Sequence, residues 1–191
     1  MMEEIILASG SPRRKELLTL IGVPFRVVKS DAPEVITQTA PGKIVEELSE
    51  QKAHAVLMQL EDEDRGKIVL GADTIVVLDG EVLGKPKDRE DAKRMLLHLQ
   101  GKAHSVFTGV TLLRRIQKIS FFRETKVFVH AMNDTEIETY LDTGDPFDKA
   151  GSYGIQGPFA AFVDGIEGDY QTVVGLPVAA VYQALKAFTA E

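Results

Sequence analysis

The stretch Ile68-Val69-Leu70-Gly71-Ala72-Asp73-Thr74-Ile75-Val76-Val77-Leu78 constrains this chain more than any other. An apolar, β-branched run of this length reads as a buried strand. Asp79-Gly80 is the hairpin signal that turns it into Glu81-Val82-Leu83. Asp73 breaks the pattern, because a carboxylate buried without a partner is costly. It therefore requires a cation, which is a lysine, an arginine or a divalent metal, unless it serves as a structural turn cap beside Gly71. A carboxylate at a strand end is also a common metal ligand or general base, which makes Asp73 the first candidate functional residue.

The other segments fit around such a strand. Ile5-Ile6-Leu7-Ala8 is a short buried strand that breaks at Ser9-Gly10, and Ser11-Pro12 then starts a helix that Gly22 ends. Phe25 to Val28 reads as a strand, Ser30 to Pro41 as irregular, and Gly42 to Leu60 as an amphipathic helix. Asp88 caps a helix with Ala92, Met95, Leu96 and Leu99 on its buried face, closed by Gly101. Ser105–Leu113 and Ile119–His130 are expected to be antiparallel neighbours, followed by a short helix from Thr135 to Leu141. Phe159–Val163 and Tyr170–Val174 are expected as strands, and Leu176–Phe188 as a closing helix. With 191 residues and 44% hydrophobic content, the expectation is one mixed α/β domain over 1–191. Two lobes around a central cleft are expected within it.

Composition excludes several functions. The formal charge of −7 disfavours non-specific binding to nucleic acid or to an anionic membrane. No cysteine is present, so thiol nucleophiles, disulfides and zinc thiolate sites are ruled out. Met1-Met2-Glu3-Glu4 carries acids where a secretory signal needs basic residues, and no apolar stretch approaches a membrane span, so a cytoplasmic location is expected. The four histidines, His54, His98, His104 and His130, are scattered and read as structural or surface residues. P-loop, dinucleotide-binding, nucleophile-elbow and H-E-x-x-H patterns are all missing.

Three polar segments remain. Ser9-Gly10-Ser11-Pro12-Arg13-Arg14 puts two arginines in the first turn of a helix, next to the positive end of its dipole. Either an anion such as phosphate offsets them or a nearby carboxylate such as Glu16 does. Gly84-Lys85-Pro86 places a cation on a short, stiff loop. Gly151, Gly154 and Gly157 recur every third residue around Tyr153 and Gln156 and suit either close approach of a ligand or a tight connection. Carboxylate, lysine, arginine and a hard metal form a toolkit well matched to phosphoanhydride chemistry.

Taken in order, these segments resemble a known family. Leu7-Ala8-Ser9-Gly10-Ser11-Pro12-Arg13-Arg14, Gly71-Ala72-Asp73-Thr74, Gly84-Lys85-Pro86, Ser105-Val106-Phe107-Thr108-Gly109, Asp148 to Gly157 and Val173-Val174-Gly175-Leu176-Pro177 are similar to the Maf family of nucleoside triphosphate pyrophosphatases. The family is historically linked to inhibition of septum formation. The glycine-rich segment with Gln156 resembles the branch acting on dTTP and UTP rather than the one preferring 7-methyl-GTP. Phe107 stands where an aliphatic residue is expected.

The resemblance implies an inosine-triphosphatase-like fold with an elongated mixed sheet flanked by helices. It implies Asp73 as catalytic carboxylate, with Lys52 and Lys85 alongside it. Ser9, Arg13, Arg14, Thr74 and Gln156 would bind substrate, with Arg13, Thr74 and Gln156 setting base preference. Lys52 lies in Glu50-Gln51-Lys52-Ala53, and Glu34, a second acidic residue, in Asp31-Ala32-Pro33-Glu34. The implied cofactor is a divalent cation, Mg²⁺ or Mn²⁺, on Asp73 and Glu34. The implied partner is dTTP or UTP, modified pyrimidine nucleotides being open as well, with a homodimer as one assembly open to the chain. A nucleotide-binding regulator of cell division is the alternative function.

Overall fold

The apolar runs pair into one seven-stranded mixed sheet in the computed structural model, which describes residues 2–29 and 33–189. Ser30, Asp31 and Ala32, at the start of the expected irregular stretch, lie outside the described residues. The strands are β1 (Ile5–Leu7), β2 (Phe25–Val27), β3 (Val69–Leu78), β4 (Glu81–Leu83), β5 (Ala103–Arg114), β6 (Gln117–Val129) and β7 (Val163–Glu167). Their order is β2-β1-β3-β5-β6-β7, with β4 paired to β3. The helices are α1 (Pro12–Leu20), α2 (Pro41–Gln59), α3 (Arg89–Leu99), α4 (Asp134–Asp142), α5 (Tyr170–Val174) and α6 (Val178–Thr189).

The chain divides into two compact units. The first comprises Met1–Asp73, Thr108–Arg123 and Gly175–Glu191, and the second Thr74–Phe107 and Glu124–Val174. In the first unit, β1 lies parallel to both β2 and β3, with Leu7 opposite Val27 and Leu70. β1 has a neighbour on each edge, and its residues Ile5, Ile6 and Leu7 are buried on both faces of the sheet. In the second unit, β3 turns back into β4 through Asp79 and Gly80, both at positive φ, as a two-residue hairpin requires.

In the first unit, α2 lies directly on the strands. Its inward face carries Val45, Leu48, Ser49, Ala53 and Val56 at helical spacing. A Cβ on Gly71 would overlap the Ser49 carbonyl oxygen and come within 2.8 Å of the Ala53 nitrogen. A Cβ on Gly109 would overlap the Val45 carbonyl. Two glycines on neighbouring strands thus let helix backbone touch sheet backbone. The buried hydroxyls beneath are paired, Ser49 Oγ with Thr111 Oγ1 and Thr111 Oγ1 with Ser120 Oγ, each at 2.8 Å.

Two expected strands are helical. Residues 158–162 form a 3-10 helix, because Pro158 follows Gly157 at the first helical position. Tyr170–Val174 is a short α-helix despite its β-prone composition. Asp169 Oδ2 accepts the Thr172 N–H at 2.8 Å and the Thr172 hydroxyl at 2.7 Å, and this cap overrides strand propensity. Ser11 occupies the expected cap position of α1, yet its side chain makes no capping bond. Ser9 Oγ instead accepts the Ser11 N–H at 3.2 Å.

Gly71→Ala is expected to cost about 3 kcal/mol, because helix backbone cannot yield as a flexible side chain would. In thermal unfolding this lowers Tm by roughly 6–12 °C. Gly66→Ala, where a Cβ meets nothing within 4 Å, is expected to leave Tm unchanged or slightly raised.

Candidate functional site

Asp73 lies two residues beyond Gly71 on β3, so both point to the same face of the strand, the one that α2 covers. The close approach at Gly71 therefore fixes where the next carboxylate on that face meets the helix. Lys52, adjacent to Ala53, reaches it there, with its Nζ donating to Asp73 Oδ1. Asp73 is 8% exposed and is the buried carboxylate for which the sequence demanded a cation. The same Nζ lies 2.9 Å from Glu34 Oε1. Lys52 thus bridges a buried carboxylate and an exposed one.

Asp73 lies in the middle of β3 rather than at the strand end that the sequence suggested, and the parallel pairing of β1 with β3 brings the carboxyl end of β1 level with it. Leu7 is opposite Leu70, and the Ala8 N–H continues the ladder to the Leu70 carbonyl at 2.8 Å. Ser9, buried, is the next residue, and α1 starts three positions later. Ligands of α/β sheets gather beyond such carboxyl ends. Arg14, in the first turn of α1, donates from Nε to the Gly175 carbonyl at 2.9 Å and from Nη1 to Ser9 Oγ at 3.1 Å. Its pKa is lowered chiefly by removal from water. The Asp73 carboxylate opposes that shift, the neighbouring Arg13 adds to it, and Glu34 opposes it. The fields of Asp73 and Glu34 thus act on this arginine in the sense that favours its charge.

Ser9, Arg13, Arg14, Glu34, Lys52 and Asp73 all belong to the first unit. Thr74, Lys85 and Gln156 belong to the second, where Thr74 continues β3 and is half-buried. There the Gly84 carbonyl accepts the Gly151 N–H at 3.0 Å, tying the Lys85 loop to the glycine-rich segment. That segment is braced from several sides. Tyr153 meets His104 Nε2 at 2.7 Å, and the Gly154 N–H donates to Tyr140 Oη at 3.3 Å. Tyr140 in turn donates to Asp145 Oδ2 at 2.6 Å. Gln156 is exposed at the segment's surface, beside the buried Ile155.

Comparison with known proteins places these residues in context. The profile described as Maf-like protein matches residues 4–188. This chain belongs to the Maf family. A relative from Bacillus cytotoxicus is 51% identical over 98% of this chain and 96% of its own length. One from Agathobacter rectalis is 48% identical, covering 97% of each chain, and one from a Thermoanaerobacter species is 48% identical over 96% of this chain and 95% of its own. All three are named dTTP/UTP pyrophosphatase. Among solved structures, the Ham1 protein of Staphylococcus aureus is 16% identical and superimposes with a TM-score of 0.47 over 78% of this chain and 85% of that one. No helix among the described residues is long and apolar enough to cross a membrane.

The carboxylates of this Maf chain suit a particular kind of metal. Among the described residues no cluster of three or more His, Cys, Asp or Glu could hold an ion by itself. Asp73 and Glu34 supply two hard oxygen donors flanking one lysine. Hard oxygen donors of this kind fit a divalent cation such as Mg²⁺ or Mn²⁺ in their chemistry, and two of them do not make a self-sufficient protein cage.

Sequence reading passed over some supports of this candidate site. The Gly175 carbonyl that holds Arg14 lies 161 residues away in sequence, and backbone oxygens leave no compositional signal. His104 read as structural or surface is right in kind but incomplete, because it is buried and holds Tyr153. Its ring titrates at about 4 instead of 6.5, since burial disfavours the charged form.

The His104 shift sets a pH dependence. The unfolded chain takes up a proton as pH falls through 6.5 while the folded chain resists until about 4, so stability is lost across that window. Urea unfolding of the wild type should show about 3 kcal/mol lost to this residue between pH 7 and pH 4. His104→Gln should lack that part of the slope.

Proposed function

We propose that this chain, acting as one Maf domain over 1–191, hydrolyses dTTP and UTP to the nucleoside monophosphate and pyrophosphate. The observation that carries the reading is the buried Asp73 held by Lys52 beside Glu34, in a chain whose relatives at 48–51% identity bear the name dTTP/UTP pyrophosphatase. In this reading water adds to the α-phosphorus and the bond to the oxygen bridging the α and β phosphates breaks. The proton of the water passes to Asp73 Oδ2, the carboxylate oxygen other than the one that Lys52 engages. Lys52 holds Asp73 in place through Oδ1 and turns its third N–H to phosphate oxygen.

Arg14, anchored through Nε and Nη1, lends a fixed positive charge, and Arg13 and Lys85 add theirs against the developing charge of the leaving pyrophosphate. Ser9 orients Arg14. Asp73 and Glu34 would hold the divalent cation, which supplies charge neutralisation on the phosphates and polarisation of the attacking water.

Base choice falls to Gln156, with Arg13 and Thr74. Uracil and thymine offer an acceptor, an N–H donor and an acceptor along one edge, and the Gln156 amide can donate to a carbonyl while accepting the ring N–H. Cytosine lacks that N–H and leaves the amide oxygen unpaired, at a cost of about 1–3 kcal/mol once desolvated. An exposed Gln156 lets the incoming base complete that desolvation, and a pocket accepting thymine also admits other 5-substituted uracils.

Pyrophosphate release from dTTP, UTP, CTP, GTP, ITP and 7-methyl-GTP with Mg²⁺ tests the reading. The wild type should turn over dTTP and UTP, and Asp73→Asn should lower kcat/KM by about 10³-fold with little change in Tm. Nucleotide binding without turnover in the wild type would replace the enzyme with a nucleotide sensor. In the same panel Gln156→Ala should bring CTP turnover closer to that of dTTP, by roughly 5–150-fold in the ratio. An equal loss on every nucleotide would remove base reading from Gln156.

A further inference from the structure

The segment that carries Glu34 has no helix or strand of its own between residues 33 and 39. Apolar burial does not hold it either, since Val35 and Ile36 are 55% and 54% exposed. Its backbone is fixed by two side chains of α2. Gln51 Oε1 accepts the Val35 N–H at 3.0 Å, while Nε2 donates to the Val35 carbonyl at 2.6 Å. This is the two-way exchange that a strand neighbour makes, performed by one amide. One turn earlier, Glu47 Oε2 accepts the Thr37 N–H at 2.9 Å and the Gln38 N–H at 3.4 Å, and Oε1 accepts the Thr37 hydroxyl. These bonds, the Thr37 hydroxyl foremost, hold Glu47 below the usual carboxylate range.

The next residue of α2 after Gln51 is Lys52, and the residue before Val35 is Glu34. The helix thus grips Val35 through Gln51 while Lys52 meets Glu34 at 2.9 Å. The Glu34 side chain is 52% exposed, so an ion pair alone leaves it free to swing into water. We infer that Gln51 is a positioning residue of the reaction, pinning the backbone at Val35 so that the Glu34 carboxylate stays on Lys52 beside Asp73. Glu47 extends the same strap to Thr37 and Gln38. This inference rests on the proposed hydrolysis and assigns to it a residue that touches neither substrate nor reacting atoms. Gln51 escapes a motif search because a polar residue on an exposed helix face reads as a solubilising one.

A double-mutant cycle on the full chain tests it, with dTTP hydrolysis in Mg²⁺ as one readout and amide exchange over Val35–Gln38 as the other. Gln51→Met keeps length and helix propensity while removing both hydrogen bonds, so it folds as the wild type does. It should raise exchange at Val35–Gln38 and lower kcat/KM about tenfold, with Tm nearly unchanged. In a Glu34→Ala background, which is itself impaired, the same substitution should change kcat/KM less than twofold, because the group it positions is gone. A tenfold loss in both backgrounds would show that Gln51 acts on something other than Glu34 and would overturn the inference. Unchanged activity of Gln51→Met beside an impaired Glu34→Ala would overturn it as well, leaving the hydrolysis intact. A wild type inert on the whole nucleotide panel would overturn both.

Discussion

The contact between α2 and β3 at Gly71 organises the first unit. Helix backbone lies against strand backbone there because no side chain intervenes, and Gly109 repeats the arrangement on β5. Helices normally pack on sheets through interdigitated side chains, which leave room for several rotamers of any polar group at the margin. Direct backbone contact removes that room. Asp73, two residues along the same face, and Lys52, next to the touching Ala53, are brought together by rigid elements rather than by their own attraction. A site built in this way is organised before any ligand arrives, which is the condition under which fixed charges lower a barrier most.

The electrostatics follow from that placement. A chain of charge −7 repels a polyanion at long range, so any phosphate site must gather cations locally. Lys52 and Arg14 are gathered, but each is partly offset by Asp73 and Glu34. Two carboxylates and two cations packed together form a nearly neutral cluster, which folding tolerates better than a bare positive pocket. In the proposed reaction Asp73 and Glu34 would hold a divalent cation, while Lys52 and Arg14 would remain available to phosphate oxygens.

Much of the fold was legible because local signals and burial agreed. The apolar run of β3, the Asp79-Gly80 turn, the Asp88 cap bonding the Asp91 N–H at 2.8 Å and the positive φ at Gly22 and Gly101 all point one way. Reading failed where a cap competed with propensity, as at Asp169, whose carboxylate turns the β-prone Tyr170–Val174 into a helix. It failed likewise at Gly157-Pro158, where helix-start chemistry stands before two phenylalanines that look strand-like. Burial explains the candidate site in the same terms. Asp73 announced itself because a carboxylate inside an apolar run needs a partner, yet nothing local says that the partner lies 21 residues earlier. Lys52 and Glu34 came from family resemblance alone, since each sits among ordinary charged residues.

Gln51 and Glu47 show a further limit of the same kind. Their function lies in the backbone groups that they bond, and main-chain N–H and C=O groups are identical at every position. A helix face carrying Glu47, Glu50, Gln51 and His54 is indistinguishable in sequence from one that merely faces solvent. The segment they strap supplies the one acidic residue of the cluster that is not on a regular element. Strong backbone pinning of a half-exposed carboxylate would be superfluous if Glu34 were only a surface partner for Lys52, because surface pairs form and break with little effect on stability. The geometry is better explained by a carboxylate that must hold its place when Lys52 turns toward another anion. Rigidity in the first unit would then come from two sources, the glycine contacts that seat Lys52 and Asp73 and the amide clamp that seats Glu34.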